Sequence, residues 1–224
     1  MIFDFDGIIL ETEAPQYQAW QEIYQENGCS LPITEWSAIL GSSSERFDPV
    51  NYLEVQAHAT FDRQSLETRQ VMRCRELMAG INLMPGVVDY LEEAKRMGLR
   101  MAVASSSPRE WVVGHLTAYE ILPYFSAVFT ANDVERVKPD PMLFTSAAKA
   151  LEVQADEALI FEDSPNGILA ARGAGIFCVA VPNDLTVHLD LSLANYRIPS
   201  FSAVPLKDLL TQLDHHNGEV HRER

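Results

Sequence analysis

The sequence is poor in basic residues and in cysteine, and both shortages reduce the range of functions that the protein can have. Its 17 lysines and arginines are outnumbered by 32 aspartates and glutamates, which gives a formal net charge of −15. No basic face for nucleic acid is therefore expected. The three cysteines are far apart and show neither a disulfide framework nor a metal-ligand spacing. A reducing compartment such as the cytoplasm therefore suits the chain.

Several sequence signals are also missing. No apolar run approaches transmembrane length, and no signal peptide precedes the first motif, so no membrane association is expected. No Gly-Lys-Ser or Gly-Lys-Thr occurs, which excludes a P-loop. What remains is ordinary globular composition, with 47% hydrophobic and 22% charged residues in a chain of 224. A chain of this size can bury a substantial core.

Short β-prone runs alternate with helical periodicity from about residue 82 onwards. This pattern predicts a doubly wound α/β core with a parallel, Rossmann-like sheet covered on both faces. The predicted strands are 1–5, 99–104, 127–130, 158–161 and 176–181, and the predicted helices of this region are 87–97, 109–118, 141–151 and 166–174.

The stretch between the first strand and residue 82 is mostly helical in character. It starts with a periodic segment at 14–27, which Gly28 ends, and Pro85-Gly86 marks the return to the alternating pattern. We therefore expect an all-α helical cap at 14–81, inserted into an α/β core formed by 1–13 and 82–224.

Two pairs of acidic residues each follow an apolar, β-prone run. Asp4 and Asp6 follow the first, and Glu162-Asp163 follow another far downstream. In an α/β fold such positions lie at the carboxyl ends of parallel strands, where ligands bind. Four acids gathered there would repel one another unless a cation lay among them. Carboxylate-rich clusters suit Mg²⁺, so the sequence predicts Asp4, Asp6, Glu162 and Asp163 at a magnesium site.

The first acidic pair has the residue types for covalent phosphoryl transfer. Asp4 is the candidate nucleophile, which would form an aspartyl-phosphate. Asp6 is the candidate acid that protonates the leaving oxygen and the base that then activates water. Taken alone, Asp-x-Asp-Gly is equally well explained as a turn at Gly7. A calcium loop does not fit, because the glycine follows the second acid directly and a third acid is missing.

Two further segments supply groups that can bind phosphate. Ser105 and Ser106 follow a predicted strand and precede Pro108, which places them at a helix N-terminus, where amides and a hydroxyl can bind an anion. An ordinary helix cap explains the serines as well. Lys138 precedes two prolines that exclude a helix through it, so it can point at a phosphate from a rigid loop. The alternative is a solvated surface lysine.

Together, the four signals resemble the haloacid dehalogenase superfamily, in the branch with a helical cap inserted after the first motif. Asp4-Phe5-Asp6-Gly7 is similar to the first motif of that family, and Ser105, Lys138 and Glu162-Asp163 are similar to the second, third and fourth. The resemblance spans nearly the whole chain. It implies that the first aspartate is the nucleophile and the second the acid/base, whose backbone carbonyl also helps to bind Mg²⁺.

The resemblance implies phosphatase or phosphomutase chemistry, because dehalogenase members lack the second aspartate. β-Phosphoglucomutases are similar but carry a histidine at the position of Gln16 and a lysine near that of Pro108. The sequence therefore predicts Mg²⁺-dependent hydrolysis of a small phosphomonoester. A sugar phosphomutase is the alternative, and a non-catalytic phosphate-binding or receiver-like module is the lower alternative.

The expected partner is a small phosphorylated metabolite, with no protein partner implied. The cap should exclude water and hold the organic part of the substrate. The segment 41–46 is predicted to be the cap loop that faces the site. Arg46 could meet an anionic substrate there, and a solvated arginine is an equally good interpretation.

Overall fold

A computed structural model of the chain describes residues 1–37, 40 and 47–220, with the backbone alone for 215–220. Its centre is a six-stranded sheet in which all neighbouring strands are parallel. The strands are β1 (Ile2–Phe3), β2 (Ala102–Ala104), β3 (Ala127–Phe129), β4 (Leu159–Glu162), β5 (Phe177–Ala180) and β6 (Tyr196–Arg197). Their order is β3-β2-β1-β4-β5-β6, which confirms the predicted doubly wound α/β fold.

Wherever the periodicity of the sequence predicts a helix, the structure has a helix with closely similar bounds. The helices within the described residues are α1 (Glu13–Glu26), α2 (Ile33–Trp36), α3 (Pro49–Ala57), α4 (Arg63–Met78), α5 (Val87–Arg96), α6 (Arg109–Ala118), α7 (Met142–Ala150), α8 (Pro165–Ala174) and α9 (Leu206–Val220). Among these residues, no helix combines the length and the apolarity that crossing a membrane would require.

Successive strand residues point to opposite sides of the sheet, so these apolar strands place apolar side chains on both faces. Helices pack against each face and bury it. Phe3 of β1 and Phe161 of β4 enter one apolar cluster together with side chains of α5, α6 and α9. Ile2 and Ile160, one residue earlier on the same strands, enter a second cluster with side chains of α7 and α8. Continuous apolar strands of this kind are typical of parallel sheets covered by helices.

The helices α1 to α4 lie between β1 and β2 in the sequence and pack around an apolar cluster of their own. Its buried members include Trp20 and Tyr24 of α1, Leu53 of α3 and Leu66 of α4. The two chain segments that join these helices to the sheet run side by side, because Leu10 forms an antiparallel bridge with Leu83. A hinge between the two parts would therefore involve both segments at once.

Two elements of the sheet layer were not predicted from the sequence. The strand β6 is only two residues long, and its side chains are partly or fully exposed, so it carries no apolar run. The helix α9 packs Leu206 and Leu209 against the first apolar cluster. The predicted cap loop 41–46, with Arg46, lies outside the residues that the structure describes.

Candidate functional site

Four of the predicted site residues meet at the carboxyl ends of the central strands. Asp4 follows β1, Glu162 ends β4, and Asp163 comes directly after it. One carboxylate oxygen from each of these three buried residues lies within 4.8 Å of the other two. Lys138 reaches the same cluster from the loop before α7. Ser105 follows β2, which is a neighbour of β1 in the sheet. The structure thus brings together residues that are far apart in the sequence.

Lys138 is a fully buried cation inside this cluster. Its Nζ donates to a carboxylate oxygen of Asp4 and, at 2.8 Å, to Oε1 of Glu162. The ring of Phe144 lies 4.6 Å from the same nitrogen. Burial lowers the pKa of Lys138, but Asp4 and Glu162 outweigh that effect and hold the pKa above its ordinary value. Lys138 is therefore charged, and its burial excludes the alternative interpretation of a solvated surface lysine.

Both oxygens of Glu162 are already engaged by protein donors. Oε1 accepts from Lys138, and Oε2 accepts from the backbone amides of Asp163 and Ser164, each at 2.8 Å, and from the Ser164 hydroxyl at 3.0 Å. The helix α8 begins against this carboxylate, and a Cβ added at Gly167 would lie 1.6 Å from Oε1. Glu162 is therefore placed to orient Lys138, and only a glycine fits beside it.

Asp163 presents one free carboxylate oxygen to the site. Its Oδ2 accepts a hydrogen bond of 2.8 Å from Asn183, while among the described residues its buried Oδ1 has no hydrogen-bond partner. Gly7 has a φ of +78°, and a Cβ there would lie 2.4 Å from Oδ2, so this approach requires glycine. A buried unpartnered carboxylate oxygen is costly unless it binds a proton or a cation.

The charges of the cluster point to a cation. Burial raises the pKa of Asp4 to about 8, although Lys138 opposes the shift. Burial also raises the pKa of Asp163 well above its usual value, and neighbouring carboxylates add to the effect. Three carboxylates face the single ammonium group of Lys138, which leaves two negative charges without a partner when all are ionised. Oxygen ligands with that charge suit a hard divalent ion.

The carboxylate of Asp6 does not belong to the three-carboxylate cluster and is held by four donors. Its Oδ1 accepts from the Thr12 hydroxyl at 2.5 Å and from the indole Nε1 of Trp111 at 3.0 Å. Its Oδ2 accepts from the hydroxyls of Ser107 at 2.5 Å and Ser105 at 3.3 Å. Asp6 therefore adds no side-chain oxygen to the cluster, and a role in metal binding is limited to its backbone carbonyl.

The two predicted phosphate-binding serines are placed differently. Ser105 is fully buried, and its amide donates to the carbonyl of Phe129 in the sheet, so that amide is occupied. Its hydroxyl accepts from the amide of Ser107 at 3.0 Å and faces Asp6. Ser106 follows at the half-buried start of the loop before α6. Both donors of Ser105 are thus engaged, the amide by Phe129 and the hydroxyl by Asp6, so Ser105 can donate to a ligand only if its hydroxyl leaves Asp6.

Reasoning from the sequence missed four residues of this site, one of which, Ser107, directly follows the two predicted serines and donates to Asp6. Asn183, which holds Asp163, lies just after β5, and the rule that strand ends carry site residues could have indicated it. Thr12 and Trp111 both donate to Asp6, but neither stands in a motif that signals it. Trp111 lies in the first turn of α6, where its aromatic ring is indistinguishable from a core residue in the sequence.

Comparison with known proteins shows a consistent family. The family model described as haloacid dehalogenase-like hydrolase matches residues 1–181. The chain is similar to YhcW of Bacillus subtilis (strain 168), with 41% identity over 217 residues, 97% of this chain and 98% of that protein. It is also similar to the fructose-1-phosphate phosphatase YqaB of Escherichia coli (strain K12), with 32% identity over 186 residues, 81% of this chain and 95% of that protein.

A solved structure extends the similarity to three dimensions. The crystal structure of CbbY from Rhodobacter sphaeroides in complex with phosphate has a TM-score of 0.72 and 27% sequence identity. The match covers 93% of this chain and 97% of that chain. The similarity therefore includes both the sheet and the helices inserted after β1.

Proposed function

The chain belongs to the haloacid dehalogenase-like hydrolase family as a phosphoric monoester hydrolase, and we propose that it cleaves a small phosphomonoester through an aspartyl-phosphate on Asp4. The observation that carries the proposal is the position of Asp4, which contacts Lys138 and lies within 4.8 Å of a carboxylate oxygen of Asp163. A buried carboxylate can attack phosphorus only in its ionised form. The ammonium group of Lys138 favours that form of Asp4.

The first step of the proposed reaction is attack by Asp4 on phosphorus. The ammonium group of Lys138 lies against Asp4 and would offset charge on the phosphoryl oxygens as the bond forms. The segment at Ser106 would bind the remaining oxygens, and the hydroxyl of Ser105 would join it by turning from Asp6 to the phosphoryl group. Asp6, in its protonated form, would donate its proton to the leaving oxygen while the phosphoryl group moves to Asp4.

The second step is hydrolysis of the aspartyl-phosphate. Having lost its proton, Asp6 would take one from a water molecule, and the resulting hydroxide would attack phosphorus and release Asp4 and inorganic phosphate. The four donors around the Asp6 carboxylate limit its orientations. The carboxylate is therefore held in place for both steps.

We propose that the site holds Mg²⁺, because its donors fit that ion. Asp4 and the free Oδ1 of Asp163 would hold it together with the backbone carbonyl of Asp6. Glu162 would not bind the ion directly but would orient Lys138, since its oxygens already bind Lys138 and the start of α8. When bound, Mg²⁺ would offset negative charge on the phosphoryl group.

The helices between residues 14 and 81 are proposed to act as a cap over this site. They have their own apolar cluster and two adjacent connections to the sheet, which suits movement as one unit. Thr12 lies at the first connection and donates to Asp6, so the acid/base is linked to the start of the cap. Closure would exclude bulk water during the reaction.

The test is phosphate release by the purified protein from a panel of sugar phosphates, nucleotides and small alkyl phosphates. We expect release from at least one ester, a covalent phosphate detectable by intact mass, and none of either in Asp4→Asn. Asp6→Asn should accumulate the phosphoprotein, because its hydrolysis needs the base. An active Asp4→Asn protein would refute covalent catalysis at Asp4. Conversion of a sugar phosphate to its isomer without phosphate release would identify a mutase instead.

A further inference from the structure

A cavity of about 320 Å³ lies between α1 and α4 on one side and the start of α6 on the other. Two of its lining residues, Ser107 and Trp111, are the same side chains that donate hydrogen bonds to Asp6. In the proposed reaction, the leaving oxygen of the ester receives its proton from Asp6. The organic group bonded to that oxygen would therefore extend into this cavity.

The lining of the cavity combines polar and apolar groups. The amide side chains of Gln16 and Gln70 come from α1 and α4, and Trp111, Pro108 and Val71 supply apolar surface. Amides can exchange hydrogen bonds with hydroxyl groups, while an indole ring can cover a carbon chain. A cavity of this volume and mixture suits a small molecule rather than a macromolecule. A short polyhydroxylated carbon skeleton fits both properties.

Arg75 adds a positive charge to this lining. It lies one helical turn after Val71, on the same face of α4, and lines the cavity. The other arginines of α4 each pair with a carboxylate, Arg63 with Asp48, Arg69 with Glu26 and Arg73 with Glu22. Within the described part of the chain, the ion pairs of α4 are formed by those three arginines and not by Arg75. Its guanidinium is thus available to a ligand.

With the organic group of the substrate in this cavity, we propose that Arg75 selects substrates with a second anionic group, remote from the transferred phosphoryl group. The inference rests on the proposed function, because the position of the leaving group follows from Asp6. A guanidinium binds carboxylate and phosphate through the same paired N–H donors, so either anion satisfies the site.

The test compares matched substrates that differ by one anionic group. Fructose 1-phosphate against fructose 1,6-bisphosphate examines a second phosphate, and glycerol 3-phosphate against 3-phosphoglycerate examines a carboxylate. We expect a higher kcat/KM for the doubly anionic member of at least one pair. Arg75→Gln should reduce that ratio about 10-fold or more, as expected for a charge-assisted hydrogen bond. Arg75→Lys should retain part of the preference.

Arg69→Gln is the matched control, because Arg69 is on the same helix but pairs with Glu26 outside this cavity. It should leave both ratios unchanged. Binding of the same four compounds to the Asp4→Asn protein, measured by calorimetry with and without Arg75→Gln, gives the preference as Kd ratios that do not depend on turnover.

The outcomes separate the two proposals. If the wild type releases phosphate but Arg75→Gln changes neither the kcat/KM ratios nor the Kd ratios, the inference about Arg75 is wrong and the proposed function stands. If no ester is hydrolysed but the Kd ratios depend on Arg75, the proposed function fails and the anion-selective cavity stands. A wild type that prefers the singly anionic member in both pairs would also overturn the inference.

Discussion

The indole Nε1 of Trp111 donates a hydrogen bond of 3.0 Å to Oδ1 of Asp6. The two residues are separated by 105 positions in the sequence, and the fold joins them because β1 and α6 both meet the same end of the sheet. Trp111 also lines the cavity beside Asp6. One side chain thus orients the proposed acid/base and forms a wall for the group that leaves.

Trp111→Phe should slow esters with poor leaving groups more than esters with good ones. The substitution keeps an aromatic ring but removes the N–H that orients Asp6. Loss of one hydrogen bond to a charged group corresponds to about a 10-fold fall in kcat when protonation of the leaving oxygen limits the rate. Measuring kcat on fructose 1-phosphate and on p-nitrophenyl phosphate checks this, since the aryl ester needs little protonation.

Trp36→Phe provides the control for that experiment. The indole nitrogen of Trp36 is buried and has no hydrogen-bond partner among the described residues, so its removal should leave the ratio of the two kcat values unchanged. An equal loss on both substrates in Trp111→Phe would instead indicate a purely structural role for Trp111.

Chelation should abolish phosphate release, and Mg²⁺ should restore it. Mg²⁺ should also stabilise the wild-type fold, because an ion at 100 times its Kd contributes about 2.7 kcal/mol. Asp163→Asn replaces the carboxylate that presents the unpartnered Oδ1 and should lose most of this stabilisation. Thermal unfolding with and without Mg²⁺ measures it separately from activity. Equal Mg²⁺ stabilisation in Asp163→Asn would place the ion elsewhere.

Lys138→Met should destabilise the protein by about 3–5 kcal/mol, the usual cost of leaving buried charges without a partner. Asp4 and Glu162 would then lose their shared ammonium group. In a Glu162→Gln background, the same substitution should cost less, because one carboxylate is already neutral. Urea unfolding of the four proteins provides the double-mutant cycle. Lys149→Met is the control, because Lys149 lies at an exposed position of α7, and it should have little effect on stability. A loss of stability in Lys149→Met similar to that in Lys138→Met would argue against the loss of a buried charge partner as the cause.

Gly167→Ala should be harmful although alanine normally favours a helix by about 1 kcal/mol over glycine. The added Cβ would lie 1.6 Å from Oε1 of Glu162, which would have to move and release Lys138. We expect a loss of stability of about 1–3 kcal/mol, as in other overpacked sites, together with a fall in kcat. Gly114→Ala in α6 is the matched control, since nothing lies within 4 Å of its added Cβ. Unchanged kcat in Gly167→Ala would show that Glu162 does not orient Lys138.

The sequence by itself determined the fold class and the family. Apolar strands buried on both faces, alternating with amphipathic helices, are compatible with few arrangements other than a parallel sheet between helix layers. The helix at 109–118 was predicted with the bounds that the structure shows. Each acidic or serine motif directly follows a strand, so its place at one edge of the sheet follows from local order along the chain.

Only the tertiary structure decided which atoms are available for chemistry. Three of the four donors to Glu162 belong to the adjacent Asp163 and Ser164, but the fourth, Lys138, reaches it from the loop before α7. Which oxygen of Asp163 stays free depends on Asn183, 20 positions further along the chain. Hydrogen-bond saturation is a property of three-dimensional neighbours, and it therefore cannot be inferred from a single strand-end motif.

The same reason applies to Trp111 and Arg75. An indole and a guanidinium occur at many positions of any chain, and nothing local marks the one that meets a carboxylate or lines a cavity. Their roles arise because strands adjacent in the sheet are not adjacent in the sequence, as with β1 between β2 and β4. Local motifs identify the residues proposed to react. The residues that orient them are brought into place by the packing of distant elements.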